Sequence, residues 1–230
     1  MMTQKTPNGK KQQITLWAFL LIELVLYYLI LTSGGNTLVI SSFLSIVICF
    51  GYALTDLKNR DPLFVGALGC TMGADFFLVV CSPIEQLWGM MFFLVAQTLY
   101  AIRLHKQNQC RTLIWLRVVL IACAEAVTVV ILKKKTDALA VISIGYYANL
   151  IVNIIASFTK FRSKRLLPIG FVLFLLCDTV IGLQAASGVY LPISEGSLLH
   201  RIIYVNFNLA WFFYLPSQVL IALSSRKYHK

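Results

Sequence analysis

Apolar residues run along this chain in long blocks divided by short polar stretches. Eight blocks stand out, at about 14–31, 37–53, 62–81, 87–102, 113–132, 138–158, 167–186 and 202–223. They are too long for barrel strands and do not alternate polar with apolar, which argues against a β-barrel. Each is near the ~20 residues that cross ~30 Å of hydrocarbon as a helix. The block at 87–102 is short and must borrow flanking residues. The pattern predicts an all-α, polytopic membrane protein, a bundle of about eight transmembrane helices. The linkers are short, so one domain is expected over 1–230, with basic tails at about 1–13 and 224–230.

Composition agrees with this pattern. The 230 residues are 59% hydrophobic and only 13% charged, where a soluble domain carries about 25% charged residues. The first block follows Lys5, Lys10 and Lys11. It is too long for the apolar region of a signal peptide and has no small-residue cleavage pattern after it, so it is expected to remain as the first helix.

Charge then orients the bundle. With the N-terminus inside, fifteen of the 20 Lys and Arg fall on inner segments, and Lys133, Lys134, Lys135 and Arg201 fall on outer loops. Arg117 lies within a block, near its inner end, where it can snorkel. This bias predicts both termini on the cytoplasmic side, in the cell membrane. The KKK run at 133–135 is the exception: either its side chains snorkel to the outer headgroups, the reading favoured here, or the fifth block is misread. The net charge of +11 is therefore mainly a topology device suited to an anionic inner leaflet. No basic, water-facing domain exists to hold nucleic acid.

Metal and nucleophile chemistry find little support. The six cysteines form no CxxC pair, and most fall within spans as free, buried thiols. His105, His200 and His229 are far apart and lack ligand spacing, so no metal or other cofactor is expected. GxSxG and HExxH are absent, and no histidine precedes an aspartate at acyltransferase spacing.

Carboxylates remain. An ionisable group at mid-bilayer costs at least ~2.5 kcal/mol, so it is a functional candidate by default. Asp75, Glu125 and Asp178 lie well inside blocks three, five and seven. Counted from the inner ends of those blocks, they sit ~16–20 Å up, close to a common depth. Polar groups on the descending helices approach the same layer. Gln97 and Tyr100 share a face of helix four, and Tyr146, Asn149 and Asn153 form a stripe on helix six. Helix eight brings Tyr204 with Asn208 and Tyr214 with Gln218, and Pro216 should kink it. Such amides and tyrosines also serve as interhelical glue. Glu125 has a structural candidate partner in Arg117, two turns below.

The segments FVGALGCTMGADFFLVV and LWGMMFFLVAQTLYAIRL resemble a paired pattern of the YhhN-like lysoplasmalogenase family. There a glycine-rich helix carries Gly-Asp near its end, and the next helix reads roughly G-x-x-x-F-x-x-x-H-x-x-Y. GFVLFLLCDTVIGL and YLPSQVLIALS resemble the family's later pair of motifs, the second reading Y-x-x-x-Q-x-L-I-x-x-S. Three positions depart: Ala74 replaces a Gly, Gln97 replaces the His, and Cys177 replaces a Ser. The Gln97 change removes a titratable partner.

The resemblance implies an eight-helix membrane enzyme that hydrolyses the vinyl-ether bond of a lysoplasmalogen, a lysophospholipid, to a fatty aldehyde and a glycerophospho-base. Independently, this chemistry needs a general acid to protonate the alkene carbon and a second group to stabilise the cation and activate water. Two carboxylates in different protonation states do both, as in glycosidases. Asp75 and Asp178 are the expected catalytic pair. Gln97, Tyr100, Tyr214, Gln218, Asn149 and Glu125 are the expected substrate-binding groups. Gly66, Gly69 and Gly73 would let helix three pack closely or leave room for a lipid tail. Two other readings stay open: a small proton-coupled carrier, since buried acids also relay protons, and a non-catalytic lysolipid-binding protein. Oligomeric state is not encoded in any of these features.

Overall fold

The computed structural model describes residues 7–108, 110–132, 137–160, 166–187, 193–194 and 196–225. Helices dominate it, in this order: α1 Pro7–Thr32, α2 Gly35–Leu54, α3 Pro62–Asp75, α4 Gln86–Asn108, α5 Arg111–Leu132, α6 Ala138–Lys160, α7 Leu166–Ala186, α8 Leu198–Ile203 and α9 Leu209–Leu223. Spans within α1 to α7, with α3 extended by a π-helical turn, are long and apolar enough to cross a membrane. The short fourth block does gain its length from its flanks, since α4 runs to 23 residues.

The eighth block is not one helix. It divides into α8 and the 15-residue α9, with residues 204–208 between them. Asn208 is the reason on the α9 side, because its side chain accepts from Trp211 N at 3.2 Å and so starts a new helix. Tyr204 closes α8 in a non-helical conformation, so Tyr204 and Asn208 do not form the helical pair that their spacing predicts. Pro216 lies inside α9.

Six helices close a ring. Around it, α6 packs on α7, α7 on α9, α9 on α2, α2 on α3, α3 on α4 and α4 back on α6. α1 lies outside against α2 and α9, and α5 lies outside against α6. α5 exposes Trp115, Val118, Val119 and Val130. Such a surface suits hydrocarbon and not water.

Glycines set the closest approaches. A Cβ at Gly69 would meet Phe50 at 3.2 Å and one at Gly73 would meet Phe92 at 3.0 Å. Helix three therefore packs closely on α2 and α4 at the glycines expected to allow it, with Gly66 looser, 3.6 Å from Leu99. Where α3 ends at Asp75 its ladder widens into a π-helical turn, Phe76–Val80, closed by Cys81 N–H on the Phe76 carbonyl at 3.1 Å.

One end of the ring is knitted by charge. Asp61 caps α3, accepting from Leu63 N at 3.0 Å, and forms an ion pair with Arg103 at 3.0 Å. Arg60 donates to the Ala222 carbonyl at 3.2 Å and to Ser225 Oγ, and stacks over Tyr52. Both arginines are buried, at 1% exposure. The sequence assigns them to inner loops. Burial becomes affordable because Asp61, backbone carbonyls and the faces of Tyr52 and Phe64 solvate them. Gln12 reaches Asp56 at 3.3 Å and Ser225 bonds to Asp61 N–H at 3.0 Å, so the described beginning and end of the chain meet at this basic end.

Other expectations on charge fall partly outside the described residues. These are Lys5, Lys133, Lys134, Lys135, Arg162, Lys164, Arg165, Arg226, Lys227, Lys230 and the Lys160 side chain. Arg117 does not snorkel, because Asn153 Oδ1 accepts from it at 2.8 Å. All six cysteines are free, but only Cys49 and Cys177 are buried, and Cys123 is exposed. Cys123 lies on the outer helix α5, which packs on α6.

Candidate active site, a buried carboxylate pair

α3 and α7 carry Asp75 and Asp178 into the ring, and each meets a tyrosine from another helix. Tyr214 of α9 donates to Asp75 Oδ2 at 2.5 Å, and Tyr146 of α6 donates to Asp178 Oδ2. Asp75 is buried, while Asp178 is half-buried. Asp178 lies within electrostatic reach of Asp75. Sequence reading places Tyr146 only in an amide stripe, although it is the direct partner of a candidate acid.

Aromatic rings tie the two pairs together. Phe93 of α4 lies 5.7 Å from Tyr146 and 6.4 Å from Tyr214, centroid to centroid. Phe174 of α7 lies 5.4 Å from Tyr214, 6.4 Å from Tyr146 and 5.6 Å from Phe93. Several of these contacts are edge-to-face, the arrangement that ring quadrupoles favour. The cluster fixes both hydroxyls, and so fixes where each carboxyl is held.

Toward the basic end lies a layer of amides. Gln97 is one turn below Phe93, Gln218 one turn below Tyr214, and Asn149 three residues beyond Tyr146. Asn153 Nδ2 donates to Gln97 Oε1 at 2.8 Å and to the Gln97 carbonyl at 2.9 Å. Gln97, Gln218 and Asn149 are buried. Yet Gln97 Nε2, Asn149 Oδ1, Ser217 Oγ and both polar atoms of the Gln218 amide have no hydrogen-bond partner among the described residues. Such groups are costly inside a protein, at ~1–3 kcal/mol each. Their concentration in one layer beneath two carboxyls is a property of a polar site and not of a plain core.

Glu125 is not brought here. It lies on α5 beside Gly145 of α6, where an added Cβ would come within 3.1 Å of Oε1. Arg117 engages Asn153 instead of Glu125. A different acid is buried on the neighbouring helix α1. Glu23 of α1 is 2% exposed and accepts from Ser45 Oγ at 2.8 Å and Cys49 Sγ at 3.5 Å. Cys49 lies within electrostatic reach of both Glu23 and Asp75. The signal for Glu23 is the one that finds Asp75: an acid inside an apolar block.

No group of three or more His, Cys, Asp or Glu among the described residues could hold a metal ion.

These features define a multi-pass membrane protein with a carboxylate pair in a ring of helices. Over residues 37–225 the chain matches the YhhN family, and it belongs to that family. No curated protein and no solved structure matches it. Glu23 and the whole of α1 precede the matched residues.

Proposed function

We propose that this protein is a membrane-embedded hydrolase of the lysoplasmalogenase kind, acting on the vinyl-ether bond of a lysophospholipid through Asp75 and Asp178. The observation that carries this reading is the paired arrangement itself. Two carboxyls, each held by a tyrosine hydroxyl, share one aromatic cluster within the ring of helices. Membership of the YhhN family is consistent with it.

The steps balance between the two groups. One carboxylic acid gives its proton to the alkene carbon remote from the ether oxygen, leaving an oxocarbenium ion. Water attacks the carbon bearing oxygen and passes a proton to the second carboxylate, forming a hemiacetal. That second acid then protonates the glycerol oxygen, the C–O bond breaks, and the hemiacetal hydroxyl returns a proton to the first carboxylate. Aldehyde and glycerophospho-base leave, and the pair is restored with no net proton consumed. Acid–base groups of this kind typically contribute 10²–10⁴-fold. Gln97, Asn149 and Gln218 offer amide atoms to water or to the ether oxygen, and Tyr100 offers a hydroxyl. Gln97 stands where the family pattern carries His, so here the proton chemistry falls to the carboxyls.

The test is aldehyde release from a lysoplasmalogen by purified protein in detergent, beside Asp75→Asn and Asp178→Asn. Turnover by the wild type, lost in both folded variants, is the expected result. Full activity in both variants would end this reading. Lysolipid binding without turnover in the wild type would favour a non-catalytic binding protein instead.

A further inference from the structure

A second polar feature lies at the other end of the molecule from the carboxylates. Between the start of α1 and the α2–α3 connection is a cavity of about 380 Å³, bordered by Lys11, Thr15, Tyr52, Asp56, Lys58 and Arg60. Three of these side chains are cationic. The one carboxylate, Asp56, already accepts from Gln12 and from both approaches of the Asn59 amide, at 3.0–3.3 Å. Arg60 is buried and its Nε has no partner among the described residues. The cavity therefore offers donors and a net positive charge, three cations against one carboxylate.

Its depth in the bilayer follows from α1. Ile14, Trp17 and Leu21 are each more than 60% exposed on this helix, a surface for lipid. Tryptophan favours the headgroup level, and Lys11 lies ~9 Å beyond Trp17 along the helix axis. The cavity thus opens where phosphates of the adjoining leaflet lie. Basic pockets between transmembrane helices at this level suit anionic headgroups.

We infer that this cavity binds a phosphate oxyanion, supplied by the headgroup of an anionic phospholipid, at a site separate from the carboxylate pair. Separation follows from reach. The vinyl carbon of a lysoplasmalogen is six bonds from its phosphorus, about 8 Å. From Pro62, beside Arg60, to Asp75 is thirteen residues of continuous helix, or ~20 Å. A headgroup held here cannot present its own ether bond to Asp75. The ligand is a second lipid that clips α1, which packs outside the ring, to the α2–α3 connection. The site stands whether or not the pair hydrolyses a lipid.

The experiment is thermal unfolding of the full chain in neutral detergent, titrated with short-chain phosphatidylglycerol, phosphatidylcholine or inorganic phosphate. Phosphatidylglycerol should raise the transition and phosphatidylcholine should not. In Lys11→Gln/Lys58→Gln the half-saturating concentration should rise about tenfold or more. Thr15→Trp, which fills the cavity and leaves charge unchanged, should do the same. Lys106→Gln, exposed at the same end but off the cavity, should leave it unchanged. All these positions are surface-accessible or half-exposed, so the variants should fold. Protection by inorganic phosphate alone, sensitive to the same variants, would keep the oxyanion site and assign it to free phosphate. Protection equal in wild type and both cavity variants, or lost equally in Lys106→Gln, would overturn the inference.

Discussion

Tyr214 hydrogen-bonds to Asp75 across 139 residues of chain, joining α9 to α3 inside the ring. This contact puts a strong donor on a carboxyl that protein otherwise surrounds. Tyr146 and Asp178 repeat the relationship from α6 to α7, but there the acid is half-buried. Tyr214→Phe keeps the ring against Phe93, Phe174 and Trp211 and removes only the hydroxyl. It should cost ~1–3 kcal/mol, because a buried acceptor is left unsatisfied. Tyr146→Phe should cost less, since Asp178 can recover some solvation. Thermal unfolding of the two variants side by side checks the ranking. A larger loss for Tyr146→Phe would show that burial does not decide these contacts.

Gly170 on α7 faces the backbone as well as the side chains of α9 at close range. A Cβ there would lie 3.0 Å from Ile221 Cγ1, 3.2 Å from the Ser217 carbonyl oxygen and 3.3 Å from Leu220 Cβ. Backbone cannot retreat as a flexible side-chain tip can. Gly170→Ala should therefore push α7 from α9 and destabilise by ~1–3 kcal/mol. Gly51→Ala on α2 meets nothing within 4 Å and should instead stabilise by up to ~1 kcal/mol through helix propensity. Denaturation midpoints of the two alanines should move in opposite directions, and a shared direction would refute the packing account.

Hydropathy made the helices of this protein legible because lipid imposes a length and forbids unsatisfied backbone. Asp75 and Asp178 were legible for the same reason: a carboxylate in an apolar run stands out. Their partners were not. Whether Tyr146 or Tyr204 faces an acid depends on which helices adjoin, and spacing along one helix is silent on that. Glu125 passed the same test as Asp75, yet α5 packs outside the ring and keeps it away. The break at 204–208 is local chemistry overriding hydropathy, with Asn208 capping a new helix inside an apolar block. The burial of Arg60 and Arg103 was hidden because it needs Asp61, Ser225 and two aromatic faces from distant segments.

Glu23 lies before the residues matched to the family, and its carboxylate joins α1 to α2 through Ser45 and Cys49. Glu23→Gln keeps the shape and one acceptor oxygen, so stability should change by less than about 1 kcal/mol. Glu23→Ala opens a cavity and strands both donors, and should cost ~2–3 kcal/mol. A double-mutant cycle with Ser45→Ala should return a coupling of ~0.5–1.5 kcal/mol. Additive losses would mean that Glu23 and Ser45 act independently.

For the proposed hydrolase, depth along the helices predicts the leaflet from which its lysolipid would reach the pair. Asp75 is five residues from the end of its π turn at Val80, and Tyr214 is five from the start of α9, each ~8 Å along the axis. Toward the basic end, Asp75 is thirteen residues from Pro62 and Tyr214 nine from Leu223, ~14–20 Å. With ~8 Å between phosphorus and vinyl carbon, a lysolipid at the non-basic end keeps its headgroup at the interface while the ether reaches the carboxyls. Entry from the basic end would drag a charged phosphate ~6–12 Å into hydrocarbon, which is strongly disfavoured. In sealed vesicles carrying single molecules, those with the basic end inward should release aldehyde from lysoplasmalogen added outside. Vesicles captured by a C-terminal tag, which emerges at the basic end beside Ser225, should not. Detergent should equalise the two fractions, which separates a failure of sidedness from a failure of the enzyme. Activity confined to the captured vesicles would place the entrance at the basic end and refute the depth argument.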